Sequence, residues 1–399
     1  MLAFPQAPDG VEVRHLRAFV TVAEELSFSR AAARLYISQP ALSRQIRALE
    51  RLVGCELLRR STHRVELTVA GSALLDRARR LLADLDEAIA TTQSVGGELA
   101  NRMATMWAPV LDVVAADRDI EEMRTAYEAF LAQSPVPDGV AVRPALAGGV
   151  SSLAVTPADG DQSTAILFLH GGGYTIGSAY GYRPLAGALV AAAGVGALVP
   201  DFRLAPEHPF PAAVEDAVSA YRWLAAQRGA DRIVLAGDSA GAGLACSLML
   251  TLREQGEPLP AGAVFLCPGV DPSGTTILRA VADPEPEQIE QLARVANAYL
   301  SGHPPDDPIV NALVADLSGL PPMLIQAATG DLIRSEAEAF AARASEHGVD
   351  ATIELYAAET HVFHVFWPFL PEAADALQSA GAFVRERLAG ELGRVRDGA

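Results

Sequence analysis

The sequence has no lysine. All 31 of its basic side chains are arginine, set against 49 acidic ones, so the net charge is −18, and every cationic contact to a carboxylate or a phosphate must come from a guanidinium. Cysteine is nearly as scarce. Cys55, Cys246 and Cys267 form an odd, widely scattered set without metal-ligand spacing, which excludes a disulfide framework or a zinc finger and leaves three core thiols. Long apolar runs are missing as well. The most apolar stretch, residues 186–200, is short and broken by glycine, and residues 1–10 place no basic segment ahead of an apolar one. Neither a membrane span nor a signal peptide is expected, and a cytoplasmic location follows. At 399 residues with 50% hydrophobic and 20% charged side chains, the composition excludes a disordered or fibrous protein and points to two globular domains. No internal repeat is visible.

Charge divides the chain. Residues 1–93 hold 13 Arg against 11 acids, a net of +2, whereas the remaining 306 residues carry a net of −20. Two electrostatic characters imply two kinds of partner.

In the first part, Leu16, Phe19, Val20, Ala23 and Leu26 fall at the three-and-four spacing of an amphipathic helix. A second short helix fits residues 29–35. After a turn at Tyr36 and Ile37, Ser38 is a natural N-cap with Pro40 in the first turn, and Leu42, Ile46, Leu49 and Val53 make one apolar stripe. The opposite face carries Gln39, Ser43, Arg44, Arg47 and Arg51, the inventory with which a helix in a major groove reaches bases and phosphates. Residues 56–67 suit a two-stranded wing bearing Arg59, Arg60 and Arg64. The run HLRAFVTVAEELSFSRAAARLYISQPALSRQIRALERLVG, with VELTVAG after the wing, closely resembles the winged helix-turn-helix of LysR-type transcriptional regulators. The resemblance implies that Gln39, Ser43 and Arg44 contact double-stranded DNA from the recognition helix and that Arg60 and Arg64 approach it from the wing. Leu58 stands where that family usually has Phe. Next, Leu74, Ala78, Leu81, Leu85 and Ala88 form a heptad seam, matching the linker helix through which such regulators dimerise. A homodimer through residues 71–95 is therefore expected, although a helix packed on its own wing would show the same pattern. The two-lobed effector domain of those regulators is absent.

Beyond Gly96 and Gly97 the composition shifts. Residues 110–132 read as a helix, and from residue 150 short β-branched runs alternate with Ala/Leu-rich helical ones, the pattern of a mainly parallel sheet with helices on both faces. The best-supported strands are 163–169, 196–199, 232–235, 262–266 and 323–326, with an edge strand at 351–355. Three features sit at the carboxyl ends of these strands. Gly237-Asp238-Ser239-Ala240-Gly241 lies between an apolar strand and an Ala/Leu-rich helix, the context a nucleophile elbow requires. His170-Gly171-Gly172-Gly173 ends an earlier strand, where glycine frees backbone N–H groups to join that of Ala240 in an oxyanion hole; His170 itself reads as structural. Serine needs an imidazole oriented by a carboxylate, and Asp331 and His361 follow late strands in the expected chain order of nucleophile, acid and base. His364 is the rival base; Asp271 and Glu336 are the rival acids.

Together HGGGYTIGS, DFRLAPEHPFPAAVED, GDSAGAGLA, the Asp331 loop and HVFHVFWPFLPEA resemble the hormone-sensitive-lipase-like (group IV) α/β-hydrolases, close to monoterpene ε-lactone hydrolase and esterase members, over about residues 103–390. The resemblance implies an α/β-hydrolase fold with a helical cap built from residues 103–135 and 275–305. It makes Ser239 the nucleophile, His361 the base, Asp331 its partner and Gly172, Gly173 and Ala240 the oxyanion donors, with no metal or organic cofactor. Phe202 replaces the family's usual Tyr. Met106, Trp107 and Tyr299 are the cap residues expected to shape the pocket. The expected organisation is multidomain: a winged helix-turn-helix (1–70), a linker helix (71–95) and a hydrolase domain (96–399). The expected function is hydrolysis of a carboxylic ester or lactone by an enzyme carrying a DNA-binding module; the alternative is a regulator whose hydrolase-like domain senses or degrades its effector.

Overall fold

A computed structural model describes residues 10–60, 65–115, 119–159, 161–280 and 286–389; at residues 60, 86–95, 114–115, 161–162, 286–288 and 291 only the backbone is described. The chain forms two compact units, Met1–Asn101 and Arg102–Ala399.

The first unit opens with α1 (Val13–Glu25), α2 (Phe28–Arg34) and α3 (Gln39–Val53). Short hydroxyl side chains start the second and third: Ser27 Oγ accepts the Arg30 N–H and Ser38 Oγ that of Ala41, each satisfying a donor the helix itself leaves unpaired. Phe19, Val22, Ala31, Leu42, Ile46 and Leu49 close the core between them. Leu26 and Val53, expected in the buried stripes, are exposed. Leu26 is the left-handed C-cap of α1 and Val53 the last residue of α3 before Gly54, so each lies where its helix leaves the core. Cys55, just past Gly54, is exposed for the same reason; of the three expected core thiols only Cys246 and Cys267 are buried. The wing forms as β1 (Leu58–Arg60) antiparallel to β2 (Val65–Leu67), and Glu50 Oε1 ties it to α3 by accepting the N–H groups of Leu57 (3.0 Å) and Leu58 (3.2 Å).

The long helix α4 runs Val69–Ala115, past the expected end of the linker at residue 95. Gly96 and Gly97 cost only about 1 kcal/mol each in a helix, too little to end one among Leu99, Ala100, Met103 and Ala104. The heptad residues divide by environment. Ala78 is buried with Leu75 on the α1–α3 core, Leu74 packs beside them, and Leu81 is 58% exposed. The side chain of Ala88 lies outside the described residues.

In the second unit the expected single helix over 110–132 is instead the end of α4 and a separate α5 (Ile120–Leu131), which begins where Asp119 accepts the N–H of Glu122 at 2.9 Å. Two strands without a clear signal in the sequence come next: β3 (Val140–Ala147) and β4 (Val150–Pro157), antiparallel and joined at Gly148 and Gly149, both at positive φ. Pro144 weakens β3 as a strand signal, and the sheet tolerates it because β3 is an edge strand with no neighbour on one side among the described residues. The expected strands are present as β5 (Asp161–Leu169), β6 (Val195–Pro200), β7 (Ile233–Asp238), β8 (Gly262–Leu266), β9 (Met323–Ala328) and β10 (Ala351–Tyr356), interleaved with α6 (Arg183–Ala193), α7 (Ala212–Arg228), α8 (Ala240–Glu254), α9 (Thr275–Ala280), α10 (Pro286–Leu300), α11 (Arg334–Glu346) and α12 (Pro371–Ala389).

The sheet order is β10-β9-β8-β7-β5-β6-β4-β3, parallel from β10 to β6. Helices α6 and α12 pack on each other, with Gly381 so close that a Cβ there would meet the Ala192 backbone at 2.6 Å. Leu167, Leu235, Phe265 and Ile325 share a core with α7, α8 and α11. After β5 the chain goes to one side for β6 and returns to the other for β7. The strand order thus reverses beside β5, and the crevice beyond the carboxyl ends of β5 and β7 is where an open α/β sheet binds its ligand. Among the described residues no helix is long and apolar enough to cross a membrane.

Candidate active site

Strands β5 and β7 are neighbours, with Leu169 opposite Gly237, so the glycine loop after one meets the turn after the other. β7 is buried throughout and α8 starts at Ala240, which leaves Ser239 alone to reverse the chain at φ 49°, ψ −123°. A side chain in that region costs about 1–3 kcal/mol and survives only where neighbours are small. A Cβ at Gly241 would lie 2.1 Å from the Leu169 carbonyl oxygen. The turn is held by its backbone: Ser239 N–H donates to Leu266 O (3.0 Å), and Ser239 O accepts from Ala242 (3.1 Å) and Gly269 (2.9 Å).

Two loops of later strands converge on this serine. His361 Nε2 lies 2.8 Å from Ser239 Oγ, and its Nδ1 lies 2.9 and 3.1 Å from the carboxylate oxygens of Asp331. Asp331 is buried; it also accepts the N–H of Ile333 at 3.0 Å, and the Cys267 thiol lies within 4.8 Å of it. Burial opposes its charge, but the charge and hydrogen bond of His361 outweigh burial, and its carboxyl is held below the usual range. The reciprocal effect acts on His361. Burial disfavours the imidazolium, yet the charge and hydrogen bond of Asp331, with smaller contributions from Asp238 and Glu336, raise its pKa above the ordinary value. The imidazole remains 33% exposed, enough for a substrate to reach it.

The rival groups are engaged elsewhere. His364, expected within a helix through Trp367, sits in a short 3-10 helix Phe363–Phe366, fully buried, with Nε2 3.1 Å from Gln326 Oε1. Burial pushes its pKa down to about 3. Asp271 binds Ser273, Thr276 and Asn311, and Glu336 accepts the N–H groups of Val270 and Asp271.

Gly172 and Gly173 stand in the loop after β5 and Ala240 opens α8, and none of their N–H groups donates to a protein acceptor among the described residues. Gly172 has φ 109°, and a Cβ there would sit 2.2 Å from Ile176 O, so only glycine leaves this loop its course. His170 packs between the rings of Phe202 (4.2 Å) and Tyr182 (5.3 Å). Phe202 serves there through its ring face, for which the hydroxyl of a tyrosine is not needed.

The residues behind the loop carry no motif of their own. Asp238, in sequence only the variable position of the elbow motif, is fully buried and accepts the Gly171 N–H and the Tyr182 hydroxyl, both at 2.9 Å; Tyr182 in turn lies 2.8 Å from the hydroxyl of Tyr127 on α5. Burial, opposed by these two hydrogen bonds, pushes the Asp238 pKa up to about 7. An acid closing an otherwise apolar strand was the available signal. Arg124 of α5 also donates to the carbonyls of Thr175 and Ala205 while pairing with Glu207 at 2.7 Å. The glycine loop is thereby fixed from the elbow and from α5 together. Asp238→Ala, which leaves two buried donors without their acceptor, is expected to lower stability by about 2–4 kcal/mol and turnover with it; denaturant titration and ester kinetics on the same preparation check this.

Of the expected pocket residues, Tyr299 stacks on Tyr174 of the glycine loop at 3.7 Å, and Val295 of α10 approaches to 3.1 Å of where a Gly173 Cβ would stand. Met106 and Trp107 go elsewhere: Trp107 stacks on Phe130 at 4.0 Å, and Met106 is buried beside Phe130 and Leu131.

In the amino-terminal unit, Gln39 and Arg44 are exposed on α3 and Ser43 is half-buried between them. Gln39 Oε1 accepts from Ser29 at 3.3 Å. The backbone of Arg60 pairs with Val65 in the wing; its side chain, and Arg64 entirely, lie outside the described residues.

A mainly parallel sheet whose order reverses beside a strained serine turn is the architecture of an α/β-hydrolase. Residues 166–365 match the family described as alpha/beta hydrolase fold, and residues 13–72 match the bacterial regulatory helix-turn-helix proteins of the lysR family. An acetyl-hydrolase of Streptomyces hygroscopicus is 42% identical over 67% of this chain and 90% of its own length. A solved esterase of the bacterial hormone-sensitive lipase family aligns with TM-score 0.65 and 36% identity, over 71% of this chain and 98% of that one. The uncharacterized HTH-type transcriptional regulator YnfL of Escherichia coli (strain K12) is 53% identical over 22% of this chain and 31% of its own. The chain belongs to the α/β-hydrolase family, among the hormone-sensitive-lipase-like esterases, and is a carboxylic ester hydrolase fused to a LysR-type helix-turn-helix unit.

Proposed function

We propose that the enzyme hydrolyses small carboxylic esters or lactones through an acyl-enzyme on Ser239. The observation that carries this is His361, which bridges Ser239 Oγ at 2.8 Å and the buried Asp331 at 2.9 Å. As Oγ attacks the ester carbonyl, its proton passes to His361 Nε2, and the imidazolium is stabilised by Asp331. The N–H groups of Gly172, Gly173 and Ala240 receive the negative charge on the carbonyl oxygen. Collapse breaks the bond to the alcohol, which leaves with the proton of His361. Water, deprotonated by the same nitrogen, then cleaves the acyl–Oγ bond and restores the serine. The name of the acetyl-hydrolase relative and the closeness of Val295 and the Tyr174–Tyr299 stack to the glycine loop favour short acyl groups. A p-nitrophenyl series from acetate to decanoate tests this: kcat/KM should fall with acyl length, and a preference for decanoate would overturn it.

The amino-terminal unit supports a second activity. Exposed Gln39 and Arg44 on α3 suit base and phosphate contacts in double-stranded DNA, and Leu81 on α4 suits a dimer that reads two half-sites. The hydrolase unit would then stand where an effector-binding domain stands in a regulator, acting on the ester that serves as its signal. Arg44→Ala should weaken specific DNA retention by about 1–3 kcal/mol. Competition and salt titration with the intact chain check it, and the absence of saturable, sequence-selective binding at moderate salt would end this reading.

A further inference from the structure

Away from Ser239, a cleft of about 280 Å³ opens between the last turns of α7 and strands β3, β4 and β6. Its walls include Arg143, Thr156, Leu198, Trp223, Gln227 and Arg228. β7 receives the chain from α7 at its amino end and delivers Ser239 at its carboxyl end, so its six residues put roughly 20 Å between the α7 end of this cleft and the serine turn. The two sites lie at opposite ends of the sheet.

The two charged side chains that line the cleft are both arginine, and no acidic side chain lines it. In the hydrolase unit Arg124 is matched to Glu207, Arg203 to Asp216, Arg222 to Glu257 and Arg334 to Glu338. The side chains of Arg143 and Arg228 make no hydrogen bond or ion pair among the described residues, and both line this one cleft. With 49 acidic side chains against 31 arginines in the chain, carboxylates are in excess, and leaving two guanidiniums unmatched together keeps a cationic spot in a negative field. Trp223 and Leu198 add an apolar wall, and a volume just below roughly 300 Å³ suits a small ligand.

We propose that this cleft binds a small organic anion: a carboxylate held by the guanidinium forks of Arg143 and Arg228, with a flat apolar body laid on Trp223. The site is separate from ester turnover and gives the hydrolase unit a place for a ligand it does not consume.

The test is a fluorescence titration of the full chain with benzoate, and with acetate and inorganic phosphate as probes lacking the flat body. Benzoate should bind saturably and more tightly than either probe. In Arg143→Gln/Arg228→Gln its affinity should fall at least about tenfold, while the melting temperature and kcat/KM for p-nitrophenyl acetate stay as in the parent. Trp223→Phe should abolish the fluorescence response, and Ser239→Ala should leave benzoate affinity unaltered. An affinity that survives loss of both arginines, or benzoate binding no tighter than acetate and phosphate, would overturn the proposal.

Discussion

Ser239→Ala is expected to reduce kcat for p-nitrophenyl acetate by about 10⁴- to 10⁶-fold, the scale seen when a nucleophile that acts as a unit with its base is removed. The loss should be of this size because nothing nearby can take the place of the hydroxyl. Cys267 is buried near Asp331 and His361, and burial raises its pKa well above the ordinary value, so it offers no thiolate. The strained turn itself should persist, since alanine keeps a Cβ and the backbone bonds to Leu266, Ala242 and Gly269 do not involve Oγ. Substrate affinity should change little, because the N–H groups of Gly172, Gly173 and Ala240 remain. A variant turning over within tenfold of the parent would refute Ser239 as nucleophile.

The parts of the molecule legible in the sequence are those in which one local pattern has one physical cause. β5, β7, β8 and β9 are parallel strands covered on both faces, so they read as mainly apolar runs. β3 and β4 did not, because an edge hairpin leaves half its residues facing water, and Pro144 is permitted only by its edge position. The serine turn was legible because closeness to Leu169 imposes glycine at Gly241, a demand that shows in composition. The Asp238–Tyr182–Tyr127 chain was not, since its members stand 55 and 56 residues apart and meet only when α5 folds onto the glycine loop. In α4 the heptad count gave no means of separating Ala78, which packs on its own unit, from Leu81, which remains exposed. Periodicity records that a face is apolar, not what covers it.

The choice among Asp331, Asp271 and Glu336 shows the same limit, and it leads to the second large expected effect. All three carboxylates are buried, but Asp331 alone meets His361 Nδ1; Asp271 and Glu336 are occupied by Asn311, Ser273, Thr276 and two backbone N–H groups. Asp331→Asn should therefore lower kcat/KM by about 10⁴-fold, close to 5.5 kcal/mol of transition-state stabilisation. The amide can turn its NH₂ toward Nδ1, which places the ring proton on Nε2 and aims a donor, not a base, at Ser239. The pH profile separates this from mere misfolding. In the parent, Asp331 raises the His361 pKa; since only the neutral imidazole acts as base, activity should increase with pH through a midpoint above the ordinary histidine value of about 6.5. Without the carboxylate, burial acts on His361 with less opposition, and the imidazolium loses its proton more readily. The acid limb of the residual activity should then move to lower pH, measured as kcat/KM between about pH 5 and 9, a range that brackets the histidine titration. Asp271→Asn and Glu336→Gln should leave that midpoint above 6.5, for neither carboxylate bonds the imidazole. A parent midpoint below about 6.5, or an unshifted limb in Asp331→Asn, would take the orienting role from Asp331 and reopen it to its rivals.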